Sequence, residues 1–424
     1  MKIAIIGTGI AGNVAAYHLC KQHEVTVFEA NEHIGGHSHT HDIEWHGQSY
    51  AVDTGFIVFN YKTYPQFTRL LQELDVTVQP SNMSFSVKCE HSGLEYNGNN
   101  LNSLFAQRRN LFRPSFYRML RDILRFNREA TALIEADAAN MSLGEFLRAA
   151  GYGREFIEQY LVPMGAAIWS ADPQLMEQFP ARFFIRFFHN HGLLGVNDRP
   201  QWYVIKGGSR EYVRKLSAPF ADRIRTRAPV EQITRHPTHV HIKLRGQEAE
   251  HFDQVFIATH SDQALRMLSD ATRTEREVLS AIPYQSNTAV LHSDASILPK
   301  RRLAWAAWNY HLLPRERGRV PVTYNMNILQ GINAPVQFCV TLNNSAAIDP
   351  DKIIKQITYH HPIFTPEGIA AQQRQREING VNRTYYCGAY WRYGFHEDGV
   401  ISALAALDHF QEQSHAQLSL SRAG

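Results

Sequence analysis

The stretch KIAIIGTGIAGNVAAYHL, residues 2–19, decides the fold. Its short apolar run, rich in β-branched residues, predicts a buried parallel strand, and an apolar periodic run over residues 10–22 predicts a helix. Between them, Gly7 permits a tight turn, Gly9 lets a diphosphate approach the backbone, and Gly12 allows close packing of helix on strand. A diphosphate in this loop would meet free N–H groups and the positive end of the helix dipole.

The next segment, EVTVFEA (24–30), predicts a second strand that ends at Glu29. This acid lies close to the ~20-residue offset at which a carboxylate holds the ribose hydroxyls of a dinucleotide. An acid here favours an unphosphorylated adenosine ribose, as in FAD or NAD, over NADP. Ile10 and Ala11 at the helix start and Ala30 beside the acid complete the predicted nucleotide contacts.

The bulk composition is that of an ordinary protein with a sizeable core. The chain has 424 residues, 44% of them hydrophobic, and a formal net charge of +3, which argues neither for nor against a nucleic-acid partner. No nucleic-acid partner is expected. Its four cysteines form no CxxC pair, which favours a reduced compartment. The N-terminus lacks a signal-peptide layout, and no apolar run is long enough to span a membrane. We therefore expect a cytoplasmic protein, with peripheral contact to the inner face of the membrane as an open alternative.

The 22 histidines are scattered along the chain and show no reliable metal-ligand spacing, so no metal site is expected.

The segment NEHIGGHSHT (31–40) adds a second glycine pair, Gly35 and Gly36, just after the acidic strand. NAD-binding domains do not usually need this pair. The sequence here resembles the flavin amine oxidase superfamily, which includes monoamine and polyamine oxidases, protoporphyrinogen oxidase and phytoene desaturases. The resemblance implies FAD as cofactor. The superfamily usually has an arginine after the pair, whereas this chain has His37, so any charge clamp on the diphosphate is weaker or comes from elsewhere.

Later stretches extend the resemblance. YAVDTGFIVFN (50–60) resembles the segment that runs toward the flavin and contains Thr54 and Gly55, and WYVIKGGSREYVRKL (202–216) resembles the element that returns the chain to the cofactor domain. In the following IRTRAPVEQI (224–233), Val230 matches the residue whose backbone usually meets the adenine.

The C-terminal stretch TYYCGAYWRYGFHEDGVISALAAL (384–407) predicts a strand, a turn at Gly388, an aromatic loop and a helix that starts near Asp398 and Gly399. The resemblance implies that this helix, with Asp398, Gly399 and Val400, points its N-terminus at the pyrimidine edge of the flavin. Tyr390 replaces the acid usually found two residues after Gly388.

A narrower group is matched most closely by the stretches GGHSHT, DTGFIVFN, FFIRFFHNHGLL, WYVIKGGSREYV, LAWAAWNY and GAYWRYGFHEDG. This group comprises bacterial predicted FAD-binding oxidoreductases associated with cyclopropane-fatty-acid-synthase-like methyltransferases and unusual fatty acids. The resemblance implies an apolar or lipid substrate and a fatty-acid methyltransferase partner.

The fold class implied is α/β: a Rossmann-type FAD-binding domain with an inserted α+β substrate domain. We expect the discontinuous cofactor domain over 1–60, 200–285 and 380–424. The substrate domain then takes 61–199 and 286–379, with a helical subdomain around 101–195.

Local signals in this subdomain predict helix ends and an apolar face. Ser142 is expected to cap a helix start, with Glu145 three residues on, and Gly151 to end that helix. Helical spacing predicts one apolar face for Phe116, Met119, Leu120, Ile123 and Leu124. Two segments there remain open between core packing and function. The basic amphipathic helix 115–128 is either core-facing or a membrane contact, and the aromatics of 180–195 either pack the core or line an apolar channel.

A flavin accepts hydride without a protein nucleophile, so no catalytic triad is expected. His396 corresponds to an aromatic residue that faces the flavin in amine oxidases, and it either acts as base or donor or only braces the last helix. Lys300 is a candidate for the lysine that binds water near the flavin in several relatives, or a surface residue. Cys387 does not lie where relatives anchor flavin, so FAD is expected to be non-covalent.

These features predict an FAD-dependent oxidoreductase that desaturates an apolar substrate, most simply a fatty acyl chain of a lipid. Two alternatives stay open: an amine or polyamine oxidase, and a flavin- or lipid-binding accessory protein that supports a methyltransferase.

Overall fold

The computed structural model describes residues 1–135, 141–169, 172–195, 199–313 and 321–423. Within these ranges the strands are β1 (Lys2–Ile6), β2 (Glu24–Phe28), β3 (Thr40–Trp45), β4 (Gln48–Asp53), β5 (Val58–Asn60), β6 (Val78–Ser81), β7 (Phe85–Cys89), β8 (Leu94–Asn97), β9 (Trp202–Ile205), β10 (Ile224–Arg225), β11 (Val230–Arg235), β12 (Val240–Leu244), β13 (Ala249–Phe252), β14 (Gln254–Ile257), β15 (Tyr284–His292), β16 (Trp308–Leu312), β17 (Val322–Asn325), β18 (Cys339–Leu342), β19 (Ile353–Pro362) and β20 (Thr384–Tyr386).

The α-helices of the same ranges are α1 (Ile10–Leu19), α2 (Pro65–Glu73), α3 (Leu101–Leu104), α4 (Pro114–Glu129), α5 (Ala132–Glu135), α6 (Leu143–Ala149), α7 (Arg154–Phe156), α8 (Val162–Trp169), α9 (Pro173–Gln178), α10 (Ala181–Asn190), α11 (Arg210–Ser217), α12 (Ser261–Met267), α13 (Arg273–Ser280), α14 (Met326–Leu329), α15 (Pro366–Gln372), α16 (Gln375–Ile378) and α17 (His396–Ala423). A π-helical turn, Ile157–Leu161, joins α7 to α8. Short 3-10 turns lie at Arg108–Phe112, Ala218–Arg223, Ala295–Ile297, Arg302–Ala304, Ser345–Ala347, Pro350–Lys352, Val381–Arg383 and Ala389–Trp391.

A parallel five-stranded sheet, in the order β10-β2-β1-β14-β20, forms the centre of the nucleotide-binding part. Ile5 of β1 pairs with Val27 on one side and Phe256 on the other. All three residues are buried, as expected for a parallel sheet covered on both faces. The first and last helices, α1 and α17, pack together against this sheet. The strand, turn and helix predicted from the opening stretch are confirmed, although α1 ends at Leu19, earlier than expected.

A seven-stranded mixed sheet, in the order β19-β15-β18-β17-β16-β7-β8, forms the second large layer. Its strands come from two separate parts of the chain, and β7 joins β16 in parallel register, with Val87 opposite Tyr310. Helices α3 to α10 cover this sheet around an aromatic-rich core. The chain therefore has the mixed α/β architecture that the sequence predicts.

The helical segment contains the local signals read from the sequence. Ser142 caps α6: its hydroxyl accepts the N–H of Glu145, and the Glu145 carboxylate accepts the N–H of Ser142. Gly151 follows the helix in the left-handed region, at φ +65°, where a residue with a side chain would be strained.

Helix α4 shows a two-sided environment. Phe116, Met119 and Phe126 are buried in the core, whereas Leu124, predicted on the apolar face, is 59% exposed. One face of the helix therefore packs against the core, as the core-facing interpretation expects. The exposed face presents Leu124 next to the arginines. In the part of the chain that the structure describes, no helix is long and apolar enough to cross a membrane.

Candidate functional site

A large cavity of about 2020 Å³ lies between the two sheets. One end is formed at the carboxyl ends of β1, β2, β14 and β20, the place where open parallel sheets bind ligands. Sites for one drug-sized ligand are typically about 300–1,000 Å³. The cavity therefore has room for a dinucleotide and a second molecule.

The glycine loop after β1 is shaped for a diphosphate. A Cβ atom added to Gly9 would meet nothing within 4 Å, and Gly9 lines the cavity, so this position faces open space. A Cβ on Gly12 would lie only 2.0 Å from the carbonyl oxygen of Gly7, which explains why the helix can pack so closely here. The cradle fits a phosphate approaching the backbone at the start of α1.

Glu29 follows β2 directly and is held by the same loop. Its Oε2 accepts the N–H of Thr8 at 3.0 Å and the Thr8 hydroxyl at 2.5 Å, and its Oε1 accepts the N–H of Asn31 at 2.9 Å. These bonds fix the carboxylate on the cavity wall, where its remaining lone pairs can accept ribose hydroxyls.

The second glycine pair packs against the first loop. Gly36 has φ +60°, and a Cβ there would lie 3.0 Å from the Cα of Gly9. Gly35, with φ +125°, has no room because a Cβ would lie 2.6 Å from the carbonyl oxygen of Ser38. The pair thus brings the two glycine loops into contact, and Gly36 lines the cavity while Gly35 does not.

A group of histidines forms the adjacent wall of the cavity, and its members are His33, His37, His39, His260, His360 and His361. Burial, reinforced by neighbouring imidazoles, lowers the pKa of His37 to about 4 and that of His39 and His361 to about 3. These rings are therefore neutral at pH 7 in the cofactor-free chain. Sequence reasoning found His37 but missed the others, because they come together from β19, α12 and the segment after β2.

Asp53 organises the floor of the site from a fully buried position. Its carboxylate accepts the Thr40 hydroxyl at 2.6 Å, the Ser209 N–H at 3.0 Å and the Gln330 amide at 2.9 Å. Despite these donors, burial raises its pKa to about 6. Thr54 and Gly55, the next two residues, line the cavity as predicted, and the Thr54 hydroxyl lies 2.7 Å from the Tyr359 hydroxyl.

In the C-terminal stretch 384–407, the loop before helix α17 lines the cavity, whereas the helix beyond its first residue does not. Gly388 lines the cavity, and a Cβ there would lie 2.4 Å from the ring of Tyr390, the residue that replaces the usual acid. Helix α17 begins at His396, two residues before Asp398, and the Asp398 carboxylate accepts the N–H of Phe395 at the helix start. The predicted helix with a start near Asp398 is therefore confirmed. Burial raises the pKa of Asp398 to about 7.

Three predicted cofactor residues of this helix, Asp398, Gly399 and Val400, are not among the cavity-lining residues of the described chain. Gly399 instead faces α1, where a Cβ would lie 2.5 Å from Cγ2 of Ile10. Val400 is buried in the core shared with that helix. Of the other predicted cofactor residues, Gly12 and Gly35 do not line the cavity either. The wall itself contains Gly7, Gly9, Ile10, Ala11, Glu29, Ala30, Gly36, His37, Thr54, Gly55, Val230 and Gly388.

His396 lines the cavity and is also tied into the protein. Its Nε2 lies 2.9 Å from the Ser38 and Tyr212 hydroxyl oxygens, and its ring stacks on Phe56 at 3.5 Å. Burial, with a smaller contribution from His37, lowers its pKa well below 6.5. The ring is therefore a neutral hydrogen-bonding partner, which is the geometry of a brace.

Lys300 and Cys387 lie away from the cavity wall. Lys300 is exposed and uses its backbone N–H to bind Glu95, so the structure gives its predicted role as a water-binding lysine no geometric support. Cys387 is buried, and burial raises the pKa of its thiol to about 12, so it is not poised to attack a flavin.

The far end of the cavity, which we call the apolar arm, is walled by hydrophobic and aromatic side chains. They are Phe85, Leu104, Tyr160, Met164, Ile168, Trp169, Phe187, Leu193, Trp308, Tyr324 and Phe364. Phe187 thus serves both in the core of α10 and on the wall, and Trp308 lines the arm whereas Trp305 does not.

A family model of flavin-containing amine oxidoreductases matches residues 10–293, two thirds of the chain. No curated protein matches the sequence. Solved structures with the same fold include a CLA-producing fatty acid isomerase from P. acnes, 17% identical, which aligns over 96% of this chain and 98% of that one with a TM-score of 0.69.

Two amine oxidases are similar in the same way. Cyclohexylamine oxidase from Brevibacterium oxydans IH-35A is 15% identical over 97% of this chain and 99% of its own, with a TM-score of 0.69. A putrescine oxidase bound to putrescine is 14% identical with the same coverage and a TM-score of 0.68.

Proposed function

The chain belongs to the flavin-containing amine oxidoreductase family and is an FAD-dependent oxidoreductase, and from this premise we propose that it oxidises a fatty acyl chain by desaturation. FAD, when bound, supplies the hydride acceptor, and the protein orients the substrate and excludes water. The single observation that carries the proposal is the apolar arm.

The lining of the cavity separates charge from apolar surface. Among the described residues, the carboxylates on its wall are Glu29 and Glu231, and both lie on the nucleotide-binding elements. An aromatic cage can hold a single protonated amine, but the further charges of a polyamine need compensating acids, since burying an unpaired charge is costly. The arm offers aromatics without an acid, which favours an uncharged hydrocarbon chain over a polyamine.

A cation on the wall suits an acyl substrate with an anionic end. Arg199 lines the cavity, remains largely exposed and donates to the carbonyl oxygen of Gly195. Its remaining N–H groups can bind a carboxylate or a phosphate. The fatty acid isomerase of similar fold is consistent with an acyl substrate in this architecture.

An exposed apolar and basic surface, which we call the basic patch, suits access from a membrane. Leu101 is 77% exposed and lines the cavity, and Phe112 is 87% exposed. The arginines of the patch are Arg108, Arg109, Arg113, Arg121 and Arg128. Apolar side chains among arginines match an anionic lipid surface. The proposed substrate would thus enter from the membrane side.

The experiment is an anaerobic reduction screen with purified, FAD-loaded protein. Phospholipids, free fatty acids and amines are each mixed with the enzyme, and the visible flavin absorbance is followed. The proposal expects bleaching by acyl donors. Bleaching by amines alone would contradict it, and bleaching by dithionite but by no donor would favour an accessory role with a methyltransferase partner.

A matched pair of variants ties the donor to the arm. Leu104→Glu places a charge on the arm, whereas Leu303→Glu places the same charge on a 42% exposed surface position outside the cavity wall. We expect L104E to slow acyl-dependent bleaching at least about tenfold, since burying an unpaired carboxylate is costly, while dithionite reduction is unchanged. Equal rates in both variants would place the substrate elsewhere.

A further inference from the structure

Four histidines meet on the solvent face of the small sheet β11-β12-β13, away from the cavity. Along β12, Val240 and Ile242 point into the core, so His241 points outward. His239 lies two residues earlier on the same face, and His251 of β13 pairs directly with His241. His236 approaches across the turn, where its N–H donates to the carbonyl oxygen of His239.

Three of these side chains converge at ligand distance. Ring nitrogens of His236, His239 and His241 all lie within 4.8 Å of one another, and the Nε2 atoms of His239 and His241 are 2.9 Å apart. The Nε2 of His236 is buried without a hydrogen-bond partner. A Zn–N bond of about 2.0–2.1 Å in a tetrahedral site separates two ligand nitrogens by about 3.3 Å, so small rotations of these rings suffice.

We propose that His236, His239 and His241 bind a divalent transition-metal ion of the zinc class. Neutral imidazole is a preferred ligand for zinc, copper and nickel. The fourth position is open to water or to His251, whose ring centroid lies 4.2 Å from that of His241. A metal ion would satisfy at once the orphaned nitrogen of His236 and the two facing Nε2 atoms.

The residues next to the three histidines favour metal binding by their rings. The Thr238 hydroxyl lies 2.9 Å from Nδ1 of His239, a contact that can fix the tautomer with Nε2 free for a metal. Arg383 donates to the carbonyl oxygen of Pro237, next to His236, and holds the turn in place.

The position of the site defines its role. Strand β11 begins at Val230 on the cavity wall and ends at Arg235, beside His236. Arg235 is anchored in the core by Glu275. An ion at the outer turn would therefore clamp the far end of a strand that serves the nucleotide end, and would act on thermal stability rather than on the reaction itself.

The test uses the full FAD-loaded chain, stripped with a chelator and titrated with ZnCl₂ by calorimetry. We expect one ion per chain with a Kd in the micromolar range or below, and a rise of about 2–5 °C in thermal midpoint at saturating zinc. Substitution with Co²⁺ should give the visible bands of a low-symmetry nitrogen site. A Kd weaker than about 1 mM, the strength of a chance contact, would overturn the proposal.

The double variant His236→Gln/His239→Gln is the decisive comparison, with His91→Gln at an exposed histidine outside the cluster as control. The double variant should lose at least about a hundredfold in zinc affinity while it keeps its FAD absorbance, which reports that it has folded. Zinc uptake equal to the control would overturn the proposal. The single variant His241→Gln repeats the test if the double variant loses FAD.

Discussion

An added methyl group should affect FAD binding at Gly9 and folding stability at Gly12. The Cβ of Gly9→Ala would enter the open cavity, so the FAD-free chain should fold normally and lose FAD affinity by at least about tenfold, because the methyl group occupies the phosphate position. In Gly12→Ala the Cβ would meet the backbone oxygen of Gly7, and overpacking should cost about 1–3 kcal/mol or more in folding.

The measurement is the flavin-to-protein absorbance ratio together with the thermal midpoint of the FAD-free chain. A Gly9→Ala protein that retains full FAD would show that the diphosphate does not lie against this loop.

His396 is a residue for which the roles of base and brace predict different outcomes, and its contacts favour the brace. Truncation in His396→Ala removes a ring stacked on Phe56 and should lower the stability of the FAD-free chain by about 2–4 kcal/mol. Because its pKa lies well below 6.5, the ring does not change charge between pH 6 and 8, and the pH profile of flavin reduction should keep its shape. Tyr212→Phe, which removes one partner of the same nitrogen, is the control for lost bracing. If His396→Ala, but not Tyr212→Phe, abolished the acidic or the basic side of the pH profile of flavin reduction, His396 would be assigned as the catalytic base.

The raised pKa of Asp53 predicts that the free energy of unfolding falls as the pH rises. Its folded-state pKa of about 6 lies above the ordinary 3.8, so the folded chain holds a proton that the unfolded chain releases. Stability therefore declines as the pH rises from about 4 to about 6, by about 1.4 kcal/mol for each unit of pKa difference. Asp53→Asn should be less stable than the wild type at pH 4, because an NH₂ group replaces one acceptor oxygen among the donors, and should lack this decline.

Denaturant midpoints of the FAD-free chain at pH 4, 5, 6 and 7 measure the effect. Asp42→Asn is the control, since Arg210 lowers the pKa of this exposed carboxyl and its removal leaves the decline in place. A decline that persists in Asp53→Asn would contradict the assignment.

At the scale of elements, Glu397 connects two helices. It lies in the first turn of α17, and its carboxylate accepts the N–H groups of Gln66 and Phe67 at the start of α2. Burial raises its pKa, and the positive end of the α2 dipole favours its charge. Glu397→Ala should cost about 1–3 kcal/mol and reduce FAD occupancy, because two buried amides lose their acceptor beside the cavity. Glu397→Gln should cost less.

Glu145→Ala is the matched control. It removes a comparable cap at α6, far from the nucleotide end, and should lower stability by about 0.5–2 kcal/mol without loss of FAD. Equal FAD loss in both variants would mean that occupancy follows global stability alone.

The same elements show what a sequence can predict. The glycine loop, the Ser142 cap and the Gly151 stop are local, since each depends on residues within a few positions, and all three were predicted correctly. The start of α17 was also predicted to within two residues, and Asp398 caps the helix from its first turn by accepting the N–H of Phe395.

At the scale of the whole molecule, the site depends on contacts over long sequence separations. Asp53 joins Ser209 and Gln330, which are distant in sequence, and the histidine wall collects residues from β19 and α12. The histidines on β11 to β13 were missed as a group for the same reason, because cross-strand pairing and not spacing brings them together. The fold class and the FAD loop were therefore predictable from the sequence, whereas the floor and far walls of the cavity were not.

The basic patch yields a prediction about the whole molecule. Arg118 and Arg125 are engaged by Glu155 and by the carbonyl oxygen of Ala150, so reversing them would damage the fold. The better test is Phe112→Ser combined with Arg121→Glu and Arg128→Glu, at side chains that are each more than 70% exposed.

In co-sedimentation with anionic vesicles, the wild-type protein should bind and the triple variant should bind at least about tenfold more weakly. Each lost cation removes about 1 kcal/mol of attraction near an anionic surface, and Phe112 supplies the apolar anchor. Arg273→Glu/Arg266→Glu, two exposed reversals on other helices, is the control for net charge and should bind as the wild type does. High salt should weaken the wild-type binding, because the attraction is screened. If the two reversed proteins bind equally, the attraction is a property of total charge, and the entrance near Leu101 does not face the membrane.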